Sequence, residues 1–153
     1  MKKLILSLLF FTFILATSPQ LIYWWGLSKI DGLPVPSKVK LSEERELEIW
    51  LTNHNTGTPT SKPISPYGYA ALFYCVGNNA VEDEICFQNY PSLKISYLVA
   101  REYVYNKLED RSSFNWHLSC VAYTIWITKN WDIHQILSAY DEINNKSRAS
   151  FTF

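Results

Sequence analysis

The chain has 153 residues, 48% of them hydrophobic and 18% charged, a balance that excludes a disordered polypeptide and supplies a core. Its 14 basic and 14 acidic residues cancel, and with Lys2 and Lys3 set aside 12 basic residues face 14 acidic ones, which excludes a nucleic-acid partner. Beyond residue 27 there remain 126 residues, enough for one domain and too few for two.

Met1-Lys2-Lys3 precedes an apolar run over 4–16, the pattern of a secretory signal. Ala16 and Ser18 offer small residues for cleavage, but Pro19 follows and the chain turns apolar again over 21–27. The 22 residues 4–25, at ~1.5 Å rise each, can cross a hydrocarbon core of ~30 Å, with Tyr23, Trp24 and Trp25 where an interfacial aromatic belt belongs. Residues 1–27 are therefore predicted to be a signal anchor, a single-pass helix whose bilayer is its first partner. Lys2 and Lys3 stay on the cytoplasmic side; secretion after cleavage is the alternative.

Residues 28–40 contain Gly32, Pro34 and Pro36 and lack helical periodicity, which predicts a stalk leading to a helical domain over 41–153. Ser42 suits the N-cap of a helix with Glu43 and Glu44 in its first turn and Leu47, Trp50 and Leu51 on its buried face. Residues 53–66 form a polar, Pro-rich loop. Ser65 and Pro66 then open a helix over 67–76, and Gly77-Asn78-Asn79 are expected to close it in left-handed geometry. Glu82, Asp83 and Glu84 fall in an acidic loop.

After Pro91-Ser92, Ile95, Leu98, Val99 and Tyr103 recur at helical spacing within 93–110. Residues 114–128 are apolar almost all round, as a central helix must be. Asp132 and Gln135 make a capping box for a helix over 133–143, with Ile136, Leu137, Tyr140 and Ile143 on one face; the last ten residues show no pattern. The fold class is all-α.

In an oxidising compartment Cys75 and Cys86 could bridge a short loop and leave Cys120 unpaired; three small buried thiols are the other reading. His54, His117 and His134 share no metal-ligand spacing, so no metal or cofactor is expected. His117 reads as a core or groove histidine. The aromatics Tyr97, Tyr103, Tyr105, Trp116, Trp126 and Trp131 either line a groove or pack a core.

The stretch 93–140 resembles part of the glycosyltransferase family 51 domain, which polymerises peptidoglycan glycan chains. SLKISYLVARE at 92–102 is similar to that family's GSTITQQLARN, with Ile95, Ala100 and Arg101 identical and Ser96 in place of a Thr. Arg111 with the apolar helix after it resembles the RKxxE helix. WDIHQILSAY at 131–140 resembles YSKDEILELYLN, matching at Ile136, Leu137 and Tyr140.

The resemblance implies a short, degenerate form of the lysozyme-like family fold, held at the outer face of a bacterial inner membrane with its domain in the periplasm. It also implies partners from the cell wall: lipid II, glycan strands or a wall-synthesis protein. Carried over by position, it makes Glu82, in VEDEICF, the candidate for the catalytic base of EDxxFxxHxG, and Arg101, Ser96 and His117 candidate substrate contacts. Cys120 stands where the family has its second glutamate, Trp116 and His117 replace its Arg-Lys pair, and Tyr97 and Leu98 replace its two glutamines. Loss of a carboxylate and of cations beside a pyrophosphate removes general-base and charge-stabilising chemistry. The expectation is therefore a wall-associated binding protein with catalysis lost. An active transferase with relocated residues, and a small helical membrane adaptor, are the alternatives.

Overall fold

A computed structural model describes residues 2–78, 83–110 and 112–150. Among the described residues the regular structure is entirely helical: α1 (Lys2–Leu27), α2 (Glu43–Thr52), α3 (Pro66–Asn78), α4 (Asp83–Phe87), α5 (Leu93–Lys107), α6 (Ser113–Asn130) and α7 (Ile133–Ser150). Glu82, Arg111 and Asn79 lie outside the described residues.

α1 is long and apolar enough to cross a membrane or to serve as a signal sequence: its most apolar 18 residues have mean hydropathy 1.9 and none is buried. Pro19 lies inside it. A proline has no N–H to offer the carbonyl four residues back, here that of Leu15, and the Ser18 hydroxyl donates to that carbonyl instead at 3.0 Å. The Tyr67 hydroxyl, from α3, donates to the next carbonyl, that of Ala16, at 2.9 Å.

The last turns of α1 belong to the domain. Tyr23 and Gly26 are buried, and a Cβ placed on Gly26 would lie 2.6 Å from Ala122 Cβ and 2.8 Å from the Leu118 carbonyl oxygen. Only a residue without a side chain lets α1 approach α6 so closely. The carbonyls left unpaired at the end of α1 find partners: Trp25 O takes the Ser28 hydroxyl and Gly26 O takes that of Ser119. Tyr123 Oη lies 3.3, 3.2 and 3.0 Å from the carbonyl oxygens of Leu27, Ile30 and Gly32. The segment expected to stand free as a stalk is thus laid against the domain, with Ile30 and Pro34 buried. Sequence patterning misses this because the contacts come from α6, more than 90 residues away.

α6 is central as expected: Leu118, Cys120, Ala122, Tyr123, Ile125 and Ile127 are all buried. One half of the core joins α5, α6 and α7 through Ile95, Val99, Val104, Tyr123, Ile127, Ile136 and Leu137, and receives Trp50 from α2. The other half, around Tyr23, Ile64, Tyr69, Leu72, Leu93 and Ile125, joins α1, α3 and α6.

Local signals hold well. Ser42 Oγ accepts from Arg45 N, Ser65 Oγ accepts from Gly68 N, and the capping box closes both ways, Asp132 N to Gln135 Oε1 at 3.0 Å and Gln135 N to Asp132 Oδ1 at 2.8 Å. Three expectations change. α3 runs through Gly77 to Asn78 without a left-handed glycine, α7 continues to Ser150, and α2 buries Glu46, Ile49 and Trp50 while Leu47 and Leu51 are exposed. The face of α2 is set by α7: Glu46 Oε2 lies 2.8 Å from His134 Nδ1, and Arg45 grips Asp141 Oδ1 through Nε and Nη2 at 3.1 and 2.6 Å.

Candidate functional site

An apolar groove of about 610 Å³ lies among α3, α5 and α6, lined by Tyr69, Phe73, Leu93, Tyr97, Leu98 and Val121 together with Phe87 of α4 and His117. Phe73, Tyr69 and Val121 also bound a second recess of about 330 Å³ that continues to Ser18, Pro19 and Ile22 on α1. The groove and this recess beside the apolar helix therefore adjoin at Tyr69, Phe73 and Val121.

Phe87 and Lys94 form a wall that the groove shares with a different cavity. That cavity, about 470 Å³, is lined by Trp50, Asn53, His54, Asn55, Thr56, Thr60, Gln88 and Pro91. Lys94 Nζ sits 4.9 Å over the Phe87 ring, a cation–π contact that holds the ammonium on the wall between the two. Three side-chain amides and two threonines make the second cavity polar, and Asn55 Nδ2 is buried beside it with no hydrogen-bond partner among the described residues.

Local chemistry builds that polar wall. His54, at φ 63°, ends α2 in a left-handed turn, and Trp50 Nε1 donates to the Thr56 carbonyl at 3.2 Å, pinning the loop across the end of the helix. The Cys75–Cys86 disulfide, left open by the sequence, is formed and ties α3 to α4, which fixes Phe87.

The sequence-derived candidates separate in space. His117 lies on the groove, edge-on to Trp116 at 4.8 Å between ring centroids. Tyr97 and Leu98 line it too. Ser96 is fully buried and its hydroxyl donates to the Ser92 carbonyl at 2.9 Å, a bond inside its own helix. Arg101 is exposed beside Tyr97. Burial raises the Tyr97 hydroxyl, Cys120 adds to that, and the Arg101 charge opposes both. Cys120 is buried and free, its thiol pushed up to about 12 by burial. Burial likewise raises Tyr69. Trp126 and Trp131 pack edge to face on each other at the core, and Tyr103 packs on Tyr123.

Sequence reasoning did not single out Lys94, Tyr69 or Phe73 as site residues, and met Phe87 only as part of VEDEICF. One signal was present: α3, PYGYAALFYCVGN, carries no charged residue on any face, so its outward side must meet something other than bulk water or be covered.

Fold and site together define a domain, helical throughout its described residues, that continues from one long apolar helix and carries an apolar groove and a polar cavity side by side, sharing Phe87 and Lys94. No protein-family model, curated protein or solved structure matches the chain.

Proposed function

We propose that this is a membrane-anchored extracytoplasmic protein that binds a lipid-linked cell-wall precursor without polymerising it. The observation that carries the reading is the shared wall at Phe87 and Lys94 between an apolar groove and an amide-lined cavity. A polyprenyl or acyl chain entering from α1 fills the first, the phosphates meet the Lys94 ammonium, and the sugar hydroxyls meet Thr56, Thr60 and Gln88 on the polar lining. Such an amphipathic ligand matches both halves; a bare glycan matches one. The wall assignment rests on the resemblance of 92–140 to family 51 glycosyltransferases, and the loss of catalysis on Cys120, Trp116 and His117 standing at that family's functional positions.

The test is a titration of the full chain in detergent micelles with lipid II, polyprenyl phosphate and isolated glycan strands, following tryptophan fluorescence and glycan product in the same tube. Saturable binding of the two lipid-linked species, weakened by Lys94→Gln and abolished by filling the groove with Val121→Trp, is expected, with no product. Equal binding of bare glycan, or none of the lipids, refutes it. Product formation lost on Glu82→Gln would instead establish the active transferase.

A further inference from the structure

The bare part of α1 is too short to cross a bilayer. Residues 4–16 are exposed throughout, whereas from residue 17 onward the helix is partly covered: Ser18, Pro19 and Ile22 face the recess beneath α3, and Tyr23 and Gly26 are buried. The bare stretch of 13 residues, at ~1.5 Å each, covers about 20 Å of a hydrocarbon core of ~30 Å. Helix tilt widens the deficit. Thinning the bilayer by ~10 Å costs a fraction of a kcal/mol for every ångström, so the economical solution is for the flanking protein to enter the lipid.

The protein beside residues 17–23 is suited to that. α3 meets α1 at the Tyr67–Ala16 hydrogen bond, and its outward stripe of Tyr67, Ala71 and Tyr74, at i, i+4 and i+7, is exposed and uncharged. Leu21, Ile22, Trp24 and Trp25 are exposed on α1 itself, with Phe114 against Trp25 at 5.7 Å between ring centroids. The cations nearby, Lys29, Lys62 and Lys129, each lie over an aromatic ring, at 5.0 Å from Trp25, 5.5 Å from Tyr90 and 5.6 Å from Tyr23. Long lysine stems with aromatic partners are compatible with a headgroup layer, where the ammonium can reach water or phosphate.

We propose that the domain does not stand clear of the membrane but sits in its outer leaflet, with the outward stripe of α3 in contact with lipid. This rests on the reading of α1 as an anchor. It places the recess at Ser18, Pro19 and Ile22 at hydrocarbon depth, so that a lipid chain can pass sideways from the bilayer into the groove without crossing water.

The experiment uses the full chain in vesicles of phosphatidylethanolamine and phosphatidylglycerol, with a nitroxide label on Ala71→Cys and, as references, on Leu9→Cys in α1 and Leu51→Cys on the exposed face of α2. Collision with oxygen reports lipid and collision with a water-soluble nickel chelate reports solvent. The label at 71 is expected to behave as at 9, oxygen-accessible and shielded from nickel, with the order reversed at 51. A nickel-accessible label at 71 with a shielded label at 9 overturns the immersion and leaves the anchor standing. Nickel access at both 9 and 71 overturns the anchor and the immersion with it. All three residues have exposed side chains, so the labels need displace no core group.

Discussion

Gly26→Ala gives opposite signs according to whether α1 is docked on α6. In a solvated or lipid-facing helix, replacing glycine by alanine gains about 1 kcal/mol of helix stability. Here the added methyl meets Ala122 Cβ at 2.6 Å and the Leu118 carbonyl oxygen at 2.8 Å. Neither is the tip of a flexible side chain, so the helices must part by several tenths of an ångström, and overpacking of this kind costs about 1–3 kcal/mol. The separation also strains the Ser119–Gly26 hydrogen bond, 3.2 Å long, and the carbonyls gathered on Tyr123. The net expectation, that cost less the helix gain, is a loss of about 0–2 kcal/mol. Thermal unfolding of the full chain in detergent, followed by circular dichroism, measures it, and Gly26→Leu should be far worse. Adding Ala122→Gly, which removes one of the two obstacles, should restore part of the loss beyond what the two single changes predict by addition. A Gly26→Ala variant more stable than the parent would refute the docking of α1 and with it the continuity of groove and anchor.

Tyr123→Phe removes the hydroxyl proton shared among the Leu27, Ile30 and Gly32 carbonyls; a loss of about 1–3 kcal/mol is expected, with limited proteolysis cutting first within 28–40. Reducing Cys75–Cys86, separated by 11 residues, should remove about 3 kcal/mol by chain entropy and weaken lipid-precursor binding, since Phe87 then loses its tether; unchanged binding after reduction would show that the wall does not depend on it. The Cys120 thiol, raised from its ordinary 9.0 to about 12, stays protonated in the folded chain while the unfolded chain releases its proton from about pH 9 upward. Stability should therefore fall as pH rises through 9 to 11, less steeply in Cys120→Ala, and a thiol reagent at pH 8 should react only on unfolding; a denaturation series across that range checks both.

Signals carried within one turn of chain were legible. Ser42, Ser65 and the Asp132–Gln135 pair each act on backbone three residues away, so their effect is local and the helices begin where they indicate. The unbroken apolar character of 114–128 likewise announced a helix enclosed on most sides. What failed depends on partners distant in sequence. Glu46 rather than Leu47 faces inward because His134 and the rest of α7 receive that side of α2, and 28–40 reads as a linker until Tyr123 is placed beneath it. The groove was half visible: Tyr97 and His117 were singled out, but Lys94 matters through a ring contributed by α4, a helix of five residues too short to show any period. Ser96 looked like a ligand contact by position, and only the backbone reveals that its hydroxyl is engaged by Ser92.

The docking of Gly26 beneath Ser119 also sets a timetable for biosynthesis. The last turns of α1 leave the ribosome first, yet the helix that covers them is separated from them by 93 residues, which at ~5–20 residues per second is about 5–20 s of translation. During that interval Tyr23 and Gly26 have no protein partner from α6, and whatever receives the nascent helix, translocation channel or lipid, must hold them and later release them sideways. On the reading of α1 as an anchor, insertion and the packing of its last turns are one process, which cannot end before α6 arrives.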